Sequence, residues 1–370
     1  MSAHFSTSIK SKLPVKAVIA CAAFAALGFG NVHAAPEANA LPTGGRVAAG
    51  SATISSTGGA VPVTTINQSS QRAVVDWNTF NVGQNSTVKF NQPNAQASTL
   101  NRVSDSNPSQ IFGKIQSQGE VVLVNQAGVY FAPTASVDVG SIVATTHNIS
   151  KDDYMAGKSS YDRNGSSGKV VNEGKIQSSI NGYIALLAPE VRNSGVIIAK
   201  MGSVVLASGE RITLNFDANK RISTITTTPS QIAALVENKM VVKAPGGLII
   251  LSAQAMNQLA GGVIQQSGKI STSASEKTTA GLSNQGGRII LDGGNVTVAT
   301  TSKTVANGTN GGGSIEIKAS NNIIAEAGSK IAANAKVAGN GGKVIIMSDK
   351  KTVVDGTITA QGGTQSGNGG

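Results

Sequence analysis

Apolar and polar residues alternate in short runs along most of the chain, and the clearest runs open on glycine. The unit is Gly, any residue, Ile or Val, any residue, then Leu or Ile. It occurs at Gly119–Leu123 (GEVVL), Gly182–Leu186 (GYIAL), Gly202–Leu206 (GSVVL), Gly247–Leu251 (GLIIL), Gly287–Leu291 (GRIIL), Gly313–Ile317 (GSIEI) and Gly342–Ile346 (GKVII). Shorter Gly-x-Ile units stand between them at Gly113–Ile115, Gly174–Ile176, Gly268–Ile270 and Gly356–Ile358. Five-residue alternation predicts half-buried strands, and the flanking Gly, Asn and Ser predict turns.

The long units are spaced by 63, 20, 45, 40, 26 and 29 residues, several of them near multiples of about 20. A sandwich would place turn signals about every 8–12 residues. A period near 20 holding two or three strands instead predicts one coil of a β-solenoid, an all-β fold in which like residues stack on like. The core prediction is specific. Val121, Ile184, Val204, Ile249, Ile289, Ile315 and Val344 should point inward, and Glu120, Arg288, Glu316 and Lys343 should face out or sit at corners. At about 20 residues per coil, roughly 330 residues would make at most about 16 coils, fewer once excursions are subtracted. At about 4.8 Å per coil the rod would be roughly 70 Å long.

Two stretches break the rhythm. Lys151–Gly168 is polar and Gly/Ser-rich and reads as an exposed loop or small hairpin. Arg211–Thr228 reads as a hairpin around Asp217–Lys220, outside the coil order. Gln231–Asn238 carries Ile232, Leu235 and Val236 on one face and is predicted as a short helix, with a further helical turn at Ala253–Leu259.

The first 34 residues follow a different logic. Lys10, Lys12 and Lys16 precede an apolar stretch, Ala17–Phe29, and Val32-His33-Ala34 is a small-x-small site. That pattern is an export signal, too short for a membrane span, with cleavage between Ala34 and Ala35. Its removal takes away the single Cys (Cys21), leaves His147 as the single His, and lowers the net charge from +11 to 11 − 3 = +8. No disulfide can then staple the exported chain, so packing and ladder hydrogen bonds must hold it. No later apolar run spans a bilayer.

Composition narrows the chemistry. Charged residues are 13% of the chain, about half the usual share, as expected where stacked like charges would repel. A Cys/His zinc site is excluded by counting, and no metal or cofactor is expected. Enzymatic β-helices need clustered carboxylates or a Ca²⁺ cage. Here Asp138, Asp217, Asp292, Asp349 and Asp355 stand apart, and the adjacent pair Asp152-Asp153 lies in a polar excursion. His147 has no Cys or His companion, so no catalytic residue is assigned. The scattered charge, with no Lys/Arg-rich run, argues against nucleic acid.

Motifs over residues 41–150 carry a resemblance. The run Val75-Asp76-Trp77-Asn78-Thr79-Phe80-Asn81-Val82-Gly83 is followed by Leu100-Asn101-Arg102-Val103, Pro108–Ile115 (PSQIFGKI), Val121–Pro133 (VVLVNQAGVYFAP) and Ala135–Ser150. In this order they resemble the two-partner secretion domain at the N-terminus of filamentous haemagglutinin and the high-molecular-weight adhesins. Coil-like stretches at Asn172–Glu190, Asn193–Ala207, Leu235–Asn238 and Gly286–Gly294 extend the likeness over nearly the whole exported chain. The resemblance implies a right-handed parallel β-helix, exported to the periplasm and carried out of the cell by an outer-membrane transporter with periplasmic domains. It implies secretion-motif positions at Asn101, Arg102 and the tetrad Asn125-Gln126-Ala127-Gly128. Family members usually carry Asn-Pro-Asn-Gly or Asn-Pro-Asn-Leu at that tetrad. This chain keeps the first Asn and the Gly but lacks the Pro that would fix φ. Bracing of the first coils is the structural alternative for Asn101 and Arg102.

The organisation expected is a signal segment over 1–34, a secretion domain over 35–285 and continuing, uncapped or truncated coils over 286–370. The function expected is that of a secreted adhesin-type exoprotein, extracellular or at the cell surface, with a host or neighbouring-cell receptor as a further partner. The alternative is the secretion and stalk portion of a contact-dependent toxin carrier, and a polysaccharide-degrading enzyme ranks last.

Overall fold

The computed structural model describes residues 34–256, 261–274 and 284–370. The signal segment falls on residues 1–33, outside the described residues; Ala34 and Ala35 are exposed in irregular backbone.

Stacked equivalents define the fold. On one face the register runs Ala73↔Thr99↔Val121↔Ile142↔Ile184↔Val204↔Ile249↔Ile289↔Ile315↔Val344, all parallel, which counts ten coils among the described residues. A second face stacks Val129↔Val170↔Val191↔Val236↔Ile264↔Val296↔Ile323. A third stacks Val137↔Ile176↔Ile197↔Val242↔Ile270↔Thr304↔Ile331. Three parallel faces closing around one core make a right-handed β-helix, the hand that parallel crossovers take. Ten coils at about 4.8 Å come to about 48 Å, shorter than the sequence arithmetic because excursions consume chain without adding rungs.

The core prediction holds. Val121, Ile184, Val204, Ile249, Ile289 and Ile315 join one continuous apolar cluster, and Val344 packs on it partly buried. Glu120 and Glu316 are half-buried, and Arg288 and Lys343 are exposed. Each fully buried Ile or Val contributes roughly 1.5–3 kcal/mol, so the column supplies what disulfides would otherwise provide.

The glycine that opens each unit has a packing cause. A Cβ on Gly182, Gly202, Gly247, Gly287, Gly313 or Gly342 would stand 1.7–2.1 Å from the carbonyl oxygen of the equivalent glycine one coil below. The corner backbones touch there, and no side chain fits. A second column is polar. Asn172 Nδ2 donates to Asn193 Oδ1 (2.8 Å), Asn193 Nδ2 to Asn238 Oδ1 (2.7 Å) and Asn238 Nδ2 to Gln266 Oε1 (2.8 Å), all fully buried. Each amide satisfies the next, as buried polar groups must.

The N-terminal end is closed by antiparallel strands. Arg46–Ala49 lies against Arg72–Trp77, and Ala52–Thr57 against Val63–Gln68. They cover edges that would otherwise offer unpaired backbone.

The excursions depart from expectation. Arg211–Phe216 and Ile222–Thr228 form the hairpin read from the sequence. Lys151–Gly168, however, is no free loop. Lys151–Met155 is a short helix capped by Ser150, whose Oγ accepts from Asp153 N, and Ser160–Asp162 pairs antiparallel with Arg211–Phe216. The resulting three-stranded sheet covers the outward side of the first face. There Val74, Leu100, Val122, Val143, Ala185, Val205 and Ile250 form a second core with Tyr154, Tyr161, Ile212, Leu214 and Ile222. Residues that alternate away from the first core thus meet a second one.

The helix predicted at Gln231–Asn238 is absent. Leu235–Asn238 is a strand between Glu190–Asn193 and Val263–Gln266, with Val236 in the core and Asn238 in the amide column. Stacking overrode a short helical period. Ala253 ends the strand Leu248–Ala253 and Ala255 bridges to Ser230, so the helical turn expected from Ala253 does not begin there; residues 257–260 lie outside the described residues. Coil stacking continues across residue 285, where Leu248–Ala253 pairs with Arg288–Val298. Among the described residues no helix is long and apolar enough to cross a membrane.

Candidate secretion site

The tetrad ends the strand Glu120–Asn125 and turns the chain into Gly128–Phe131. Asn125 is fully buried. Its Oδ1 accepts from Ala127 N at 2.9 Å, closing an Asx turn within the tetrad. Its Nδ2 donates to Asn107 O and Ser109 Oγ, each at 3.0 Å, on the coil below. Gly128 has φ +140°, where a Cβ would be strained and would stand 3.1 Å from Lys169 O and 3.2 Å from Pro108. Gln126 is exposed, yet its carbonyl accepts from Ser166 Oγ at 2.7 Å, on the coil above. Ala127 is half-buried. The Asx closure does locally what proline does in the family pattern, and the coils on either side hold the corner.

Asn101 and Arg102 point elsewhere. Fully buried Asn101 accepts from Trp77 Nε1 at 3.0 Å and donates to Val122 O at 3.3 Å. Arg102 grips Asp76 Oδ1 through Nε (2.8 Å) and its terminal nitrogen (2.7 Å), and Asp76 also meets Arg46 of the antiparallel cap at 3.3 Å. Both residues therefore brace the cap and the first coils. The register places Val103 beside Asn125, so tetrad and brace share one sheet while their side chains contact different neighbours.

The sequence pattern of the run Val75–Gly83 gives its residues no separate roles. Trp77 stacks edge-on against Phe80 with centroids 5.5 Å apart, and Asn81 Oδ1 accepts from Gln110 N at 2.8 Å. Val82 bridges Ile111, tying this run to the Pro108–Ile115 motif. The spacing of the motif residues was the available signal, but which coil they touch depends on stacking.

Other candidates are structural. His147 is buried, with Nε2 placed 2.8 Å from Gly209 O; burial first, then nearby Arg163, lowers its pKa against the pull of Gly209, Glu210 and Asp162. Asp153, in the first turn of the short helix, accepts from Ser150 Oγ at 2.8 Å and pairs with Lys158 at 2.6 Å. Among the described residues no group of three or more His, Cys, Asp or Glu could hold a metal.

A family model described as the TPS secretion domain matches residues 38–298. The chain is 31% identical over 201 residues to a heme/hemopexin-binding protein of Haemophilus influenzae strain Rd, covering 52% of this chain and 22% of that protein. A second H. influenzae heme/hemopexin-binding protein is 37% identical over 110 residues, 30% of this chain and 12% of that one. The chain thus aligns with about a fifth or less of these relatives' length. The crystal structure of the HMW1 secretion domain from H. influenzae superposes with a TM-score of 0.70 over 89% of this chain and 91% of that one, at 26% identity. From the antiparallel cap to the strand that ends at Val298, in the eighth coil, the fold and the family match coincide, and the chain belongs to the TPS secretion domain family of two-partner secretion exoproteins.

Proposed function

We propose that this chain, once relieved of residues 1–34, is read in the periplasm by an outer-membrane transporter partner and emerges as an adhesin-type exoprotein, extracellular or held at the cell surface. The reading places the transporter's address in the N-terminal coils, within residues 35–285, with 286–370 continuing the stalk. The observation that carries it is the tetrad corner, where Asn125 is buried and bonded to the coil below and Gly128 sits at φ +140°. Such a corner forms only when the first coils have stacked. The hairpin Ala52–Thr57/Val63–Gln68 pairs locally, Thr57 with Val63, and so supplies an early nucleus for stacking. The relatives' name, heme/hemopexin-binding, supports a binding exoprotein over a toxin carrier.

The test is export. Gly128→Val forces a β-branched residue into a conformation costing about 1–3 kcal/mol. With the partner transporter co-expressed, this variant and Asn125→Ala should each lower the fraction of protein in the medium several-fold, while cleavage after Ala34 proceeds. Normal export of both variants overturns the assignment of this corner to secretion.

A further inference from the structure

Where the three-stranded sheet overhangs the first face, a cleft of about 570 Å³ opens between hairpin and coil corners. That volume lies within the range of small-ligand sites, about 300–1,000 Å³. Its walls are aromatic: Tyr183 packs against Phe216 with ring centroids 5.3 Å apart, and Tyr154 and Tyr161 line the same space. Two groups of opposite charge line its inner wall, neither held in a direct ion pair among the described residues. Arg72 lies 5.2 Å from the centroid of the Tyr154 ring and pairs with no carboxylate among the described residues. Glu120 accepts from the Tyr183 hydroxyl at 2.5 Å and forms no ion pair among the described residues. The Tyr161 hydroxyl, on a residue 2% exposed, makes no hydrogen bond among the described residues.

These groups select a ligand class. Arg72 and Glu120 offset each other inside the cleft, Lys158 at the rim is paired with Asp153, and Lys220 stands exposed at the rim, so neither a bare anion nor a bare cation meets an inner wall of opposite charge alone. A purely apolar ligand would strip water from Arg72, Glu120 and the Tyr161 hydroxyl without replacing its hydrogen bonds, at a cost. A sugar ring meets all three demands. Each hydroxyl both donates and accepts, serving Glu120, Arg72 and Tyr161, while the C–H faces of the ring lie against Tyr183 and Phe216.

We infer that this cleft is a carbohydrate-binding site for a neutral sugar of one or two rings. The inference does not rest on the secretion reading: Arg72, Glu120, Tyr161, Tyr183 and Phe216 lie outside the Asn125–Gly128 corner, so binding can be measured with export intact.

Saturation-transfer NMR on the whole chain tests it with glucose, galactose, mannose, N-acetylglucosamine and lactose as probes. At least one should receive saturation on its ring protons, with a Kd in the millimolar range or tighter. Glu120→Gln, which keeps an acceptor for Tyr183, and Arg72→Met should each weaken binding at least tenfold. Lys220→Ala, at the rim, should change it less than twofold. Should Glu120→Gln disturb folding, Phe216→Ala on the exposed hairpin takes its place, with the same tenfold loss expected. Absence of transfer to every probe overturns the inference, as does transfer unchanged by Glu120→Gln and Arg72→Met in folded protein. Sulfate or acetate binding in preference to all five sugars, strengthened by Glu120→Gln, would mark an anion site and also overturn it.

Discussion

Replacing Asn193 by Ala tests whether the buried amide column holds the coils in register. Asn193 sits inside the column, accepting from Asn172 Nδ2 and donating to Asn238 Oδ1, and also accepts from Gly195 N at 3.3 Å. Truncation leaves two fully buried side-chain groups, Asn172 Nδ2 and Asn238 Oδ1, without their partners. Each orphaned group costs about 1–3 kcal/mol, so the expected loss is about 2–6 kcal/mol, near 4. Asn172→Ala, at the end of the column, leaves Asn193 Oδ1 with Gly195 N and takes the side-chain acceptor from Gly174 N alone (3.2 Å), so it should cost about half as much. With a urea m-value of about 3 kcal/mol/M for a chain of this size, 4 kcal/mol moves the midpoint by about 1.3 M. Far-UV circular dichroism follows the whole solenoid, while fluorescence of Trp77, the single tryptophan, follows the cap. The circular dichroism midpoint should move more than the fluorescence midpoint where coils melt separately. A loss under about 0.5 kcal/mol for Asn193→Ala, or one smaller than that of Asn172→Ala, would refute the argument that the column is a chain of mutually satisfied amides.

Three further outcomes follow from particular contacts. Gly202→Ala puts a Cβ 1.7 Å from Gly182 O and should prevent coils five and six from stacking, seen as loss of a single cooperative melt, whereas Gly58→Ala meets nothing within 4 Å and should melt as the parent does. His147 has a lowered pKa in the fold, in the company of Glu210, Arg163 and Asp162. The unfolded chain therefore takes up a proton near pH 6.5 that the folded ring refuses, and stability should fall as pH drops from about 7 through that value. His147→Gln should flatten this segment of a melting-temperature profile. Glu210, held down chiefly by Arg163, and Glu316, held down chiefly by Lys318, add a separate loss only as pH falls below about 4.5.

The sequence by itself determined the repeat, the inward residues and the class of fold. A coil is a short local pattern, and stacking makes each inward position see its own kind one rung away, so Val121, Ile184 and Ile249 announce the core wherever they occur. It also marked a turn after the strand Glu120–Asn125, since Asn125 closes it with its own neighbour, Ala127. What it could not determine is set by residues far apart in sequence. Leu235–Asn238 carries both a helical spacing of apolar groups and a likeness to the family's coils, and strands Glu190–Asn193 and Val263–Gln266 decide between them by imposing extended backbone. Tyr154 and Tyr161 sit in a polar stretch that reads as solvated loop until the hairpin at Arg211–Thr228 arrives to bury them. Arg72, Glu120 and Tyr183 are unremarkable strand residues, each on a separate coil, and only stacking under that hairpin turns them toward one cleft. Periodicity reports what a residue needs from its neighbours along the chain; the tertiary structure decides which distant neighbours supply it.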